Sequence, residues 1–586
     1  MMAEAKVKKG FFENKFKSSF WDSKISSANV KGKERWLGYV LGPFGIMMVQ
    51  SIVNSYFNQY LTDVMGFTVN KGAWIAIFMV MFPLMSKILD AFTNIAMAKM
   101  IDKTACKQGK LRPWFIVSLP IIALSVIMLF WIPFADPIVQ AIWIVIAYNL
   151  FYAVGYTMWY MSYELSAALS TRNIKQRSGN SMAGQITKNM GTGTISILFP
   201  TVLVGVCKLL NVNNQKGYLI TMALICCIAI PLTFIQYFFT RERITEERRN
   251  QYGTVNIKEK NSVINEASFW VQLKACMKDK YWIMLIVMIL IYQVLNALKN
   301  ISLVYYSGWV VNGNAYGEFA SIQAKFQMIA MSPMGIGILV LLPLIRKYGR
   351  RKAIIMGSIA TIIGSGIAFF MAGNMGAIFA GSAISSLGAM AYIYTLTTFI
   401  GDAIDHVEYS QGIRAEGFVA ALVGFAHCLS NGLGQAIFNF GLIVTKYTTP
   451  EKIGIAANGV DLYADQPKAA TTWINMSYQG SYLFMGILFL ILFLFYFNIE
   501  KVMPTVHDAL QLKKKEECAA KGIEYIPAQE LERLEIEKQK AEAEKIRIKE
   551  LELYCKKTNK NFDIENQKYL KKKEKKAKRK RLFLHK

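Results

Sequence analysis

The sequence predicts an all-α polytopic membrane protein with twelve transmembrane helices in two six-helix bundles. Its 586 residues are 53% hydrophobic and 13% aromatic, a level that soluble domains of this length rarely reach. Many apolar runs contain the roughly 20 residues that a helix needs to cross a bilayer. The polar segment "RERITEERRNQYGTVNIKEK" separates two sets of six such runs, and this layout is typical of membrane proteins built from two repeats.

Basic residues in the short loops predict the orientation of the chain. Clusters at 103–112 and 346–352 follow even-numbered spans, whereas the loops "FADP" and "AGNMGA" carry no basic residue. Because Lys and Arg accumulate on the cytoplasmic side of a membrane, both termini are expected in the cytoplasm. The protein is expected in the cell (plasma) membrane. The spans are expected, within a few residues, at 38–61, 73–99, 114–134, 138–165, 180–207, 217–239, 281–308, 322–344, 353–371, 375–400, 416–445 and 473–499.

Composition argues against several other classes of protein. The net charge of +28 does not indicate nucleic-acid binding, because the Lys and Arg lie in loops and tails beside apolar runs. The eight cysteines form no CxxC pair and only four histidines are present, so neither a disulfide framework nor a metal site is expected. The sequence suggests no cleavable signal, nucleophile–base pair or phosphate loop, so we expect neither enzyme activity nor an organic cofactor.

Outside the spans, polar segments define the rest of the organisation. In the leader, Phe12, Phe16 and Phe20 recur every four residues, which predicts an amphipathic helix on the inner membrane surface or, alternatively, a disordered tail. The stretch 528–557 predicts a charged helix, and the final basic stretch favours contact with anionic membrane lipid. Five segments are expected: a cytoplasmic basic leader (1–35), an N-terminal six-helix bundle (36–240), a cytoplasmic linker (241–280), a C-terminal six-helix bundle (281–500) and a charged cytoplasmic tail (501–586).

Two ionisable residues lie within the second apolar run, in "SKILDAFTN". Lys87 and Asp90 are three residues apart, so they can pair on one helix face. Ionisable residues inside a membrane are costly and usually mark a functional cavity. The alternative is an ion pair that only fixes the helix and contacts no ligand.

Polar stripes on the first and fourth spans predict the walls of a cavity. Gln50, Asn54 and Asn58 recur every four residues on the first span, and amides that both donate and accept suit an uncharged polar solute. On the fourth span Tyr152, Tyr156, Tyr160 and Glu164 also step by four, and tyrosine rings offer an apolar plate with a polar tip. Both stripes could instead be packing contacts between helices. Further candidates are Lys188, Lys299 and His427.

Three stretches resemble a known family in both halves of the chain. They are residues 86–114, ending "GKLRPW", residues 401–417, "GDAIDHVEYSQGIRAEG", and residues 305–314, "YYSGWVVNGN". In this order they are similar to the glycoside–pentoside–hexuronide:cation symporters, the melibiose-permease-like branch of the major facilitator superfamily. The resemblance covers about residues 35–500 and implies a central sugar pocket with alternating access driven by Na⁺ or H⁺.

The resemblance also assigns roles to individual positions. It implies a coupling cation at Asp90, with Lys87 at a basic position before it and Asn94 where the family has a second carboxylate. Thr93 could supply a further oxygen, so a weak Na⁺ site, a proton site and loss of coupling all stay open. The family's acidic position on span 4 falls on Tyr160, its span-1 aspartate on Met47 and its span-11 basic residue on Cys428, while Tyr152 and Tyr156 keep the aromatic wall. The matching gating loops carry Asp102, Arg112, Asp402, Asp405 and Arg414.

These observations predict a secondary active transporter that carries a glycoside or oligosaccharide with a cation. Spans 1, 4, 7 and 11 are expected to line the solute site, with Asn54, Asn58, Glu164, Lys299 and His427 among its residues. The alternatives are an uncoupled facilitator, a transporter of an amphipathic or lipid-like solute, and a membrane receptor or scaffold. The expected partners are a small sugar-type molecule and membrane lipid, with no nucleic acid, and the transport unit is expected to be a monomer.

Overall fold

The structure is a computed structural model that consists almost entirely of long helices. It describes residues 16, 18–27, 29–68, 72–102, 104, 106–171, 174–246, 269–311, 322–326, 328–329, 341, 343–345, 347–371, 373–413, 416–455, 461–520, 528–558 and 561–570. Within these residues, two short antiparallel strands, β1 (Lys452–Ile455) and β2 (Asp461–Tyr463), form a hairpin. The predicted all-α class is confirmed.

The helices follow one another in the predicted order. Over the described residues, nine of them are long and apolar enough to cross a membrane. The eighth span, α8, is described only in part, so the count of twelve stays a prediction. The bounds are α1 Gly32–Val64, α2 Ala73–Asp102, α3 Arg112–Phe130, α4 Pro137–Ser170, α5 Ile174–Leu210, α6 Asn214–Phe239, α7 Lys280–Val311, α8 within 322–348, α9 Arg350–Phe370, α10 Met375–Gln411, α11 Glu416–Val444, α12 Lys468–Tyr496, α13 Ile499–Ala520 and α14 Ala528–Thr558.

The two halves meet along α1 with α7 and along α2 with α11. Glycines allow this close approach, because a Cβ on Gly432 would touch Lys87 and the backbone of Pro83, and one on Gly434 would overlap Ala297. We call the face where α1 begins and α12 ends the terminal face, and the face where α1 and α7 end the far face. The space between the halves is therefore framed by α1, α2, α7 and α11.

On the terminal face, each half contains a carboxylate that holds the start of one of its own helices, and we call this arrangement a carboxylate clamp. Glu242, just after α6, accepts backbone N–H bonds from Lys110, Leu111 and Arg112 at 2.8–3.0 Å. Glu500, just after α12, accepts N–H bonds from Arg350 and Arg351, both at 3.1 Å. A carboxylate at a helix N-terminus satisfies orphan donors and the helix dipole.

Each clamp follows a glycine with positive φ, namely Gly109 at 115° and Gly349 at 85°. A Cβ on Gly109 would collide with the carboxylate of Glu242, so this turn requires glycine for space as well as for conformation. The similarity between "GKLRPW" and "YGRRKA" thus corresponds to one structural element that occurs twice.

The leader differs from its prediction in the part that is described. Instead of a helix, it contains one 3₁₀ turn, Ser19–Trp21, followed by extended chain. Phe16 is buried against the ring of Tyr237, and the Arg112 guanidinium donates to the Trp21 carbonyl at 3.2 Å. Of the three phenylalanines, Phe16 is buried and Phe20 is 66% exposed, while Phe12 lies outside the described residues, so the predicted helical face is not formed over the part that is described.

The leader also ties several loops of the N-terminal half together. The Gln108 amide donates to Asp22 at 2.7 Å, and this hydrogen bond lowers the pKa of the Asp22 carboxyl. Arg243 donates to the carbonyl of Ser27 and forms an ion pair with the buried Glu34 at 2.7 Å. The segment therefore acts as a strap across the terminal face of one half.

Leu510–Lys586 forms a second compact unit, and the tail boundary at 501 stays a prediction. The predicted charged helix is confirmed as α14. Within this unit Arg547 pairs with Glu544, donates to Asn566 at 2.7 Å and lies over the ring of Tyr569. A short helix at 562–570 thus packs against α14.

Candidate functional site

A cavity of about 800 Å³ lies between α1, α2, α4, α5 and α11. Three of its lining residues belong to α11 and all the others to the N-terminal half, and α7 contributes none. The sequence predicted a site lined by spans 1, 4, 7 and 11, whereas the described lining comes from α1, α2, α4, α5 and α11. The lining residues are Met47, Gln50, Asn54, Lys87, Asp90, Asn94, Tyr152, Tyr156, Thr157, Tyr160, Lys188, His427, Cys428 and Asn431.

Lys87 and Asp90 form the predicted ion pair on the cavity wall. Lys87 Nζ lies 3.5 Å from Asp90 Oδ2 and 3.5 Å from the centre of the Tyr152 ring. Both side chains are about nine-tenths buried. The tyrosine face stabilises the ammonium as a cation–π contact, so pairing and ring together offset the cost of burying the two charges.

The Thr157 hydroxyl lies among three other oxygen atoms beside this ion pair. Its hydroxyl lies 3.0 Å from Asp90 Oδ1, 3.3 Å from Asn94 Oδ1 and 2.9 Å from the Tyr152 carbonyl. A hydroxyl carries one proton, so it can satisfy only one of these acceptors well at a time. The cluster therefore has more lone pairs than donors, which is the electrostatic setting that a small hard cation or an added proton requires.

A π-helical segment, Leu150–Tyr156, places Thr157 in this cluster. The wider turn lets the Thr157 hydroxyl reach the carbonyl five residues back, at Tyr152. π-bulges of this kind occur frequently at functional sites. Sequence reasoning missed Thr157, because a strict four-residue step along α4 excludes it from the tyrosine stripe.

The tyrosine stripe forms one continuous wall of the cavity. The rings of Tyr156 and Tyr160 are stacked, with centroids 5.3 Å apart and planes 20° apart, and Tyr152 meets Tyr156 edge to face at 6.1 Å. All three line the cavity. Two parallel rings present a flat apolar surface edged by hydroxyls, which suits the CH face and the hydroxyl rim of a sugar ring.

Glu164 and Lys188 form a second ion pair, at the terminal end of this wall. Lys188 lines the cavity, whereas Glu164 lines a smaller neighbouring space of about 320 Å³. Exposure rises along α4 from Tyr152, which is buried, through Tyr156 and Tyr160 to Glu164, which is exposed. His427 on α11 is also exposed, so the cavity opens towards the terminal face.

The remaining predicted site residues fall on both sides of the cavity boundary. Asn54 and His427 line it, but Asn58, one turn further along α1, donates to Tyr305 at 3.0 Å and is buried beyond the cavity end. Thr93 donates to the Asp90 backbone carbonyl at 2.9 Å, so its hydroxyl is bonded to its own helix and not to Thr157.

Lys299 lies away from the cavity, inside the C-terminal half. Its Nζ is 3.5 Å from the centre of the Tyr482 ring and 5.1 Å from that of Tyr478. Among the described residues, no atom accepts a hydrogen bond from this ammonium. The structure thus encloses Lys299 between α7 and α12, where it cannot reach a solute held in the cavity.

The predicted gating residues with described side chains make contacts within one half. Arg112 donates to the carbonyls of Tyr237 and Trp21 in the N-terminal half. Asp402 pairs with Arg350 in the C-terminal half, and Asp405 lies 3.5 Å from His507. The side chain of Asp102 and all of Arg414 lie outside the described residues.

The cavity has two lysines, an aspartate and a neighbouring glutamate, and each lysine is paired with a carboxylate. His427 is the remaining titratable nitrogen in the lining. The formal charges around the cavity therefore cancel, while amides and hydroxyls supply most of its hydrogen-bonding capacity.

Known proteins with similar sequences are membrane transporters. The profile of the family described as "MFS/sugar transport protein" matches residues 38–501. The isoprimeverose transporter of Lactiplantibacillus pentosus is 25% identical over 505 residues, which cover 85% of this chain and 95% of that protein. A putative 2,3-dihydroxypropane-1-sulfonate exporter of Escherichia coli K12 is 24% identical over 405 residues, covering 68% of this chain and 80% of that protein.

A solved structure agrees on the fold. It is the crystal structure of a bacterial homolog to the human lysosomal transporter Spinster, with 13% identity and a TM-score of 0.53, covering 82% of this chain and 99% of that one. At this identity the similarity concerns the fold alone. Together with the family match over most of the chain, it shows that the protein belongs to the MFS/sugar transport protein family of the major facilitator superfamily and is a multi-pass membrane transporter, not an enzyme.

Proposed function

We propose that this protein carries a neutral glycoside or oligosaccharide through the cavity by alternating access, together with a cation held at Asp90. The observation that carries the proposal is the wall of stacked tyrosines beside amides, in a cavity whose charges are paired. An uncharged, hydroxyl-rich ring satisfies both the rings and the amides without leaving a buried charge. The name of the isoprimeverose transporter supports the same solute class.

The charge balance favours a neutral solute over an acidic one. One relative is named as a putative sulfonate exporter, so membership of the family leaves the solute charge open. An acidic solute would need a cation that is free to pair with it. In this cavity Lys87 and Lys188 each have a carboxylate partner already. Most of the other polar groups in the lining are amides and hydroxyls.

Coupling is proposed at the oxygen cluster of Asp90, Asn94 and Thr157. The excess of acceptors over donors there supports a proton or Na⁺ as the co-transported ion. The second candidate is an uncoupled facilitator, and the observation that favours it is Lys87. Its ammonium already lies beside the carboxylate and could take the place of the external cation.

The membrane setting is part of the proposal. The basic loops lie at the terminal face, so the positive-inside rule supports a cell membrane protein with both termini in the cytoplasm. The cavity described above would then open to the cytoplasm. A monomeric transport unit is part of the same proposal.

A thermal-shift screen of the purified protein tests the solute. Neutral glycosides and oligosaccharides, including isoprimeverose and raffinose, should raise the apparent melting temperature, because a ligand that binds only the folded state stabilises it. Glucuronides and sulfonated C3 compounds at equal concentration serve as the charged comparison. Stabilisation by the acidic set alone would contradict the neutral-solute proposal.

The Asn94→Asp variant tests the cation. It places a second carboxylate beside Thr157, so Na⁺ should stimulate uptake into proteoliposomes or strengthen existing stimulation. Thr93→Asn, which alters a side chain bonded to the backbone of its own helix, is the matched control and should not gain Na⁺ dependence. A folded Asn94→Asp protein with a flat Na⁺ response would contradict an ion site at this cluster.

A further inference from the structure

A chain of hydrogen bonds joins the two halves beyond the far end of the cavity. On one side, Asn58 donates to the Tyr305 hydroxyl at 3.0 Å, and the Thr62 and Tyr305 hydroxyls lie 2.8 Å apart. On the other, Tyr447 donates to Asp63 Oδ1 at 3.0 Å and accepts from Trp309 Nε1 at 2.9 Å. We call these six residues the far latch: Asn58, Thr62, Asp63, Tyr305, Trp309 and Tyr447.

The far latch is buried and consists of polar groups. Tyr305 is 1% exposed, Tyr447 2% and Thr62 3%, whereas Asp63 is half-buried. Thr62 also donates to Asp63 Oδ1 at 2.8 Å. The hydroxyls of Thr62 and Tyr447 therefore share the Asp63 carboxylate. Buried polar networks are stable when their members are paired and costly when only some are, so this network favours opening as one unit.

Further hydrogen bonds between the halves lie in or beside the latch, among them one from the Gln435 amide to Asn58 Oδ1 at 3.1 Å. The hydroxyl oxygens of Thr68 and Thr449 are 3.4 Å apart, and Gln323 donates to the Tyr56 hydroxyl at 2.7 Å. By contrast, the hydrogen bonds of the strap and of both carboxylate clamps stay within one half. The polar fastening between halves is thus concentrated at the far end, opposite the cavity opening.

We propose that the far latch is the outer gate of the transport cycle, the element that keeps the cavity open to the terminal face until its hydrogen bonds break together. The inference rests on the proposed alternating access and adds the residues that set its resting direction. Opening the far side would separate α1 from α7 and α11, and water would replace Tyr305 and Tyr447 as partners of Asn58, Thr62 and Asp63. Weakening the latch should therefore move the population towards the far-open state.

The native thiol of Cys428 measures which way the cavity faces. Cys428 lines the cavity, 3.7 Å from the Asn94 amide. A charged, membrane-impermeant maleimide is added to right-side-out and to inverted vesicles, and mass spectrometry of the Cys428 peptide gives the labelling rate from each face. The native protein should label from the terminal face and only slowly from the far face. Cys428→Ala gives the background of the assay.

The test variant combines Tyr447→Phe with Thr62→Val, two near-isosteric changes that remove the central hydroxyls. Labelling from the far face should rise at least tenfold, since the two changes remove hydrogen bonds that hold the closed state together. The matched control is Tyr392→Phe, which removes a buried tyrosine hydrogen bond, to Ser358, within one half. Its labelling should keep the native direction.

Either of two results would overturn the gate. One is native sidedness in a folded Tyr447→Phe, Thr62→Val protein. The other is an equal shift in Tyr392→Phe, which would mean that any buried hydroxyl loss loosens the molecule. These measurements need no solute, so a sidedness shift without flux of any glycoside would refute the proposed solute and leave the latch intact.

Bridging the latch closed gives a second, opposite measurement. Thr68→Cys with Thr449→Cys places two thiols across the halves, and a short bis-methanethiosulfonate reagent links them. The linked protein should lose far-face labelling of Cys428, keep terminal-face labelling, and regain far-face labelling on reduction. Persistent far-face labelling in the fully linked protein would exclude this end as the gate.

Discussion

The two halves of the protein share a frame but differ in what they enclose. Each half has a glycine turn closed by a carboxylate, Glu242 in one and Glu500 in the other. Inside the frame, the N-terminal half places the Lys87–Asp90 and Lys188–Glu164 pairs at the cavity or beside it. Where the structure describes the C-terminal half, one of its helices lines the cavity, so the repeated architecture does not carry a repeated site there.

The charges of the C-terminal half make the contrast sharper. Between positions 280 and 399 the only acidic residue in the sequence is Glu318. Among the described residues, Lys299 has two tyrosine rings and no carboxylate as neighbours. The comparison suggests that the N-terminal half holds the solute and the ion, while the C-terminal half serves as a cover that α11 brings against them.

The largest expected effect comes from removing the charge of Asp90. Asp90→Asn should abolish uphill accumulation, because a symporter without its cation cannot use the gradient, while downhill exchange persists. Lys87 would be stranded next to a neutral amide, so some stability is lost as well. Accumulation and counterflow of the labelled solute in proteoliposomes separate the two activities.

A double variant distinguishes coupling from a purely structural ion pair. Lys87→Met with Asp90→Asn leaves no stranded charge, so stability should recover while accumulation stays absent. If accumulation returns in the double variant, the pair only fixes α2. If Asp90→Asn leaves net flux unchanged and insensitive to Na⁺ and pH, the protein is a facilitator.

The next largest effect is expected on the tyrosine wall. Tyr156→Ala removes a ring stacked on Tyr160 and should weaken solute binding by about one to two orders of magnitude, the scale of an aromatic anchor. Tyr156→Phe keeps the ring and should have a milder effect. Calorimetric titration measures both, and native affinity in the Ala variant would assign Tyr156 to packing alone.

Helical periodicity predicted which faces are polar, but it could not predict depth or local register. Asn54 and Asn58 share a face of α1, yet only Asn54 reaches the cavity, because Asn58 lies one turn beyond its end. Thr157 reaches Asp90 through a π-helical turn, and no period of 3.6 residues contains that information.

The sequence also could not predict contacts between residues that are far apart in the chain. The glycine turns at Gly109 and Gly349 are alike, but the carboxylates that close them lie 130 or more residues away in the chain. The far latch joins Asp63 to Tyr447 across 384 positions. Apolar length and charge placement therefore predicted the fold, whereas the pairs that close the cavity required the structure.

A moderate loss of stability is expected when the carboxylate of either clamp is replaced. Glu242 is 3% exposed and accepts three backbone N–H bonds, whereas the Glu500 side chain is 30% exposed and accepts two, together with one from the Arg350 guanidinium. Glu242→Gln should lower the free energy of unfolding by about 2 kcal/mol and Glu500→Gln by about half as much, since charged acceptors bond more strongly when buried. Equal losses in thermal unfolding would show that the frames are alike in energy as well as in shape.

The smallest effect is expected at Lys299, and it tests the contrast between the halves most directly. Lys299→Met replaces a buried ammonium that has no carboxylate partner by an apolar side chain of similar length. Solute affinity should not change, because Lys299 lies outside the cavity, and the melting temperature should stay the same or rise, because an unpaired buried charge is costly. Lys87→Met is the matched comparison: it strands Asp90 and should lower the melting temperature. If a folded Lys299→Met protein loses solute binding, then the C-terminal half carries part of the site in another state of the cycle. In that case the cover would bring a charge of its own to the solute when the far latch opens.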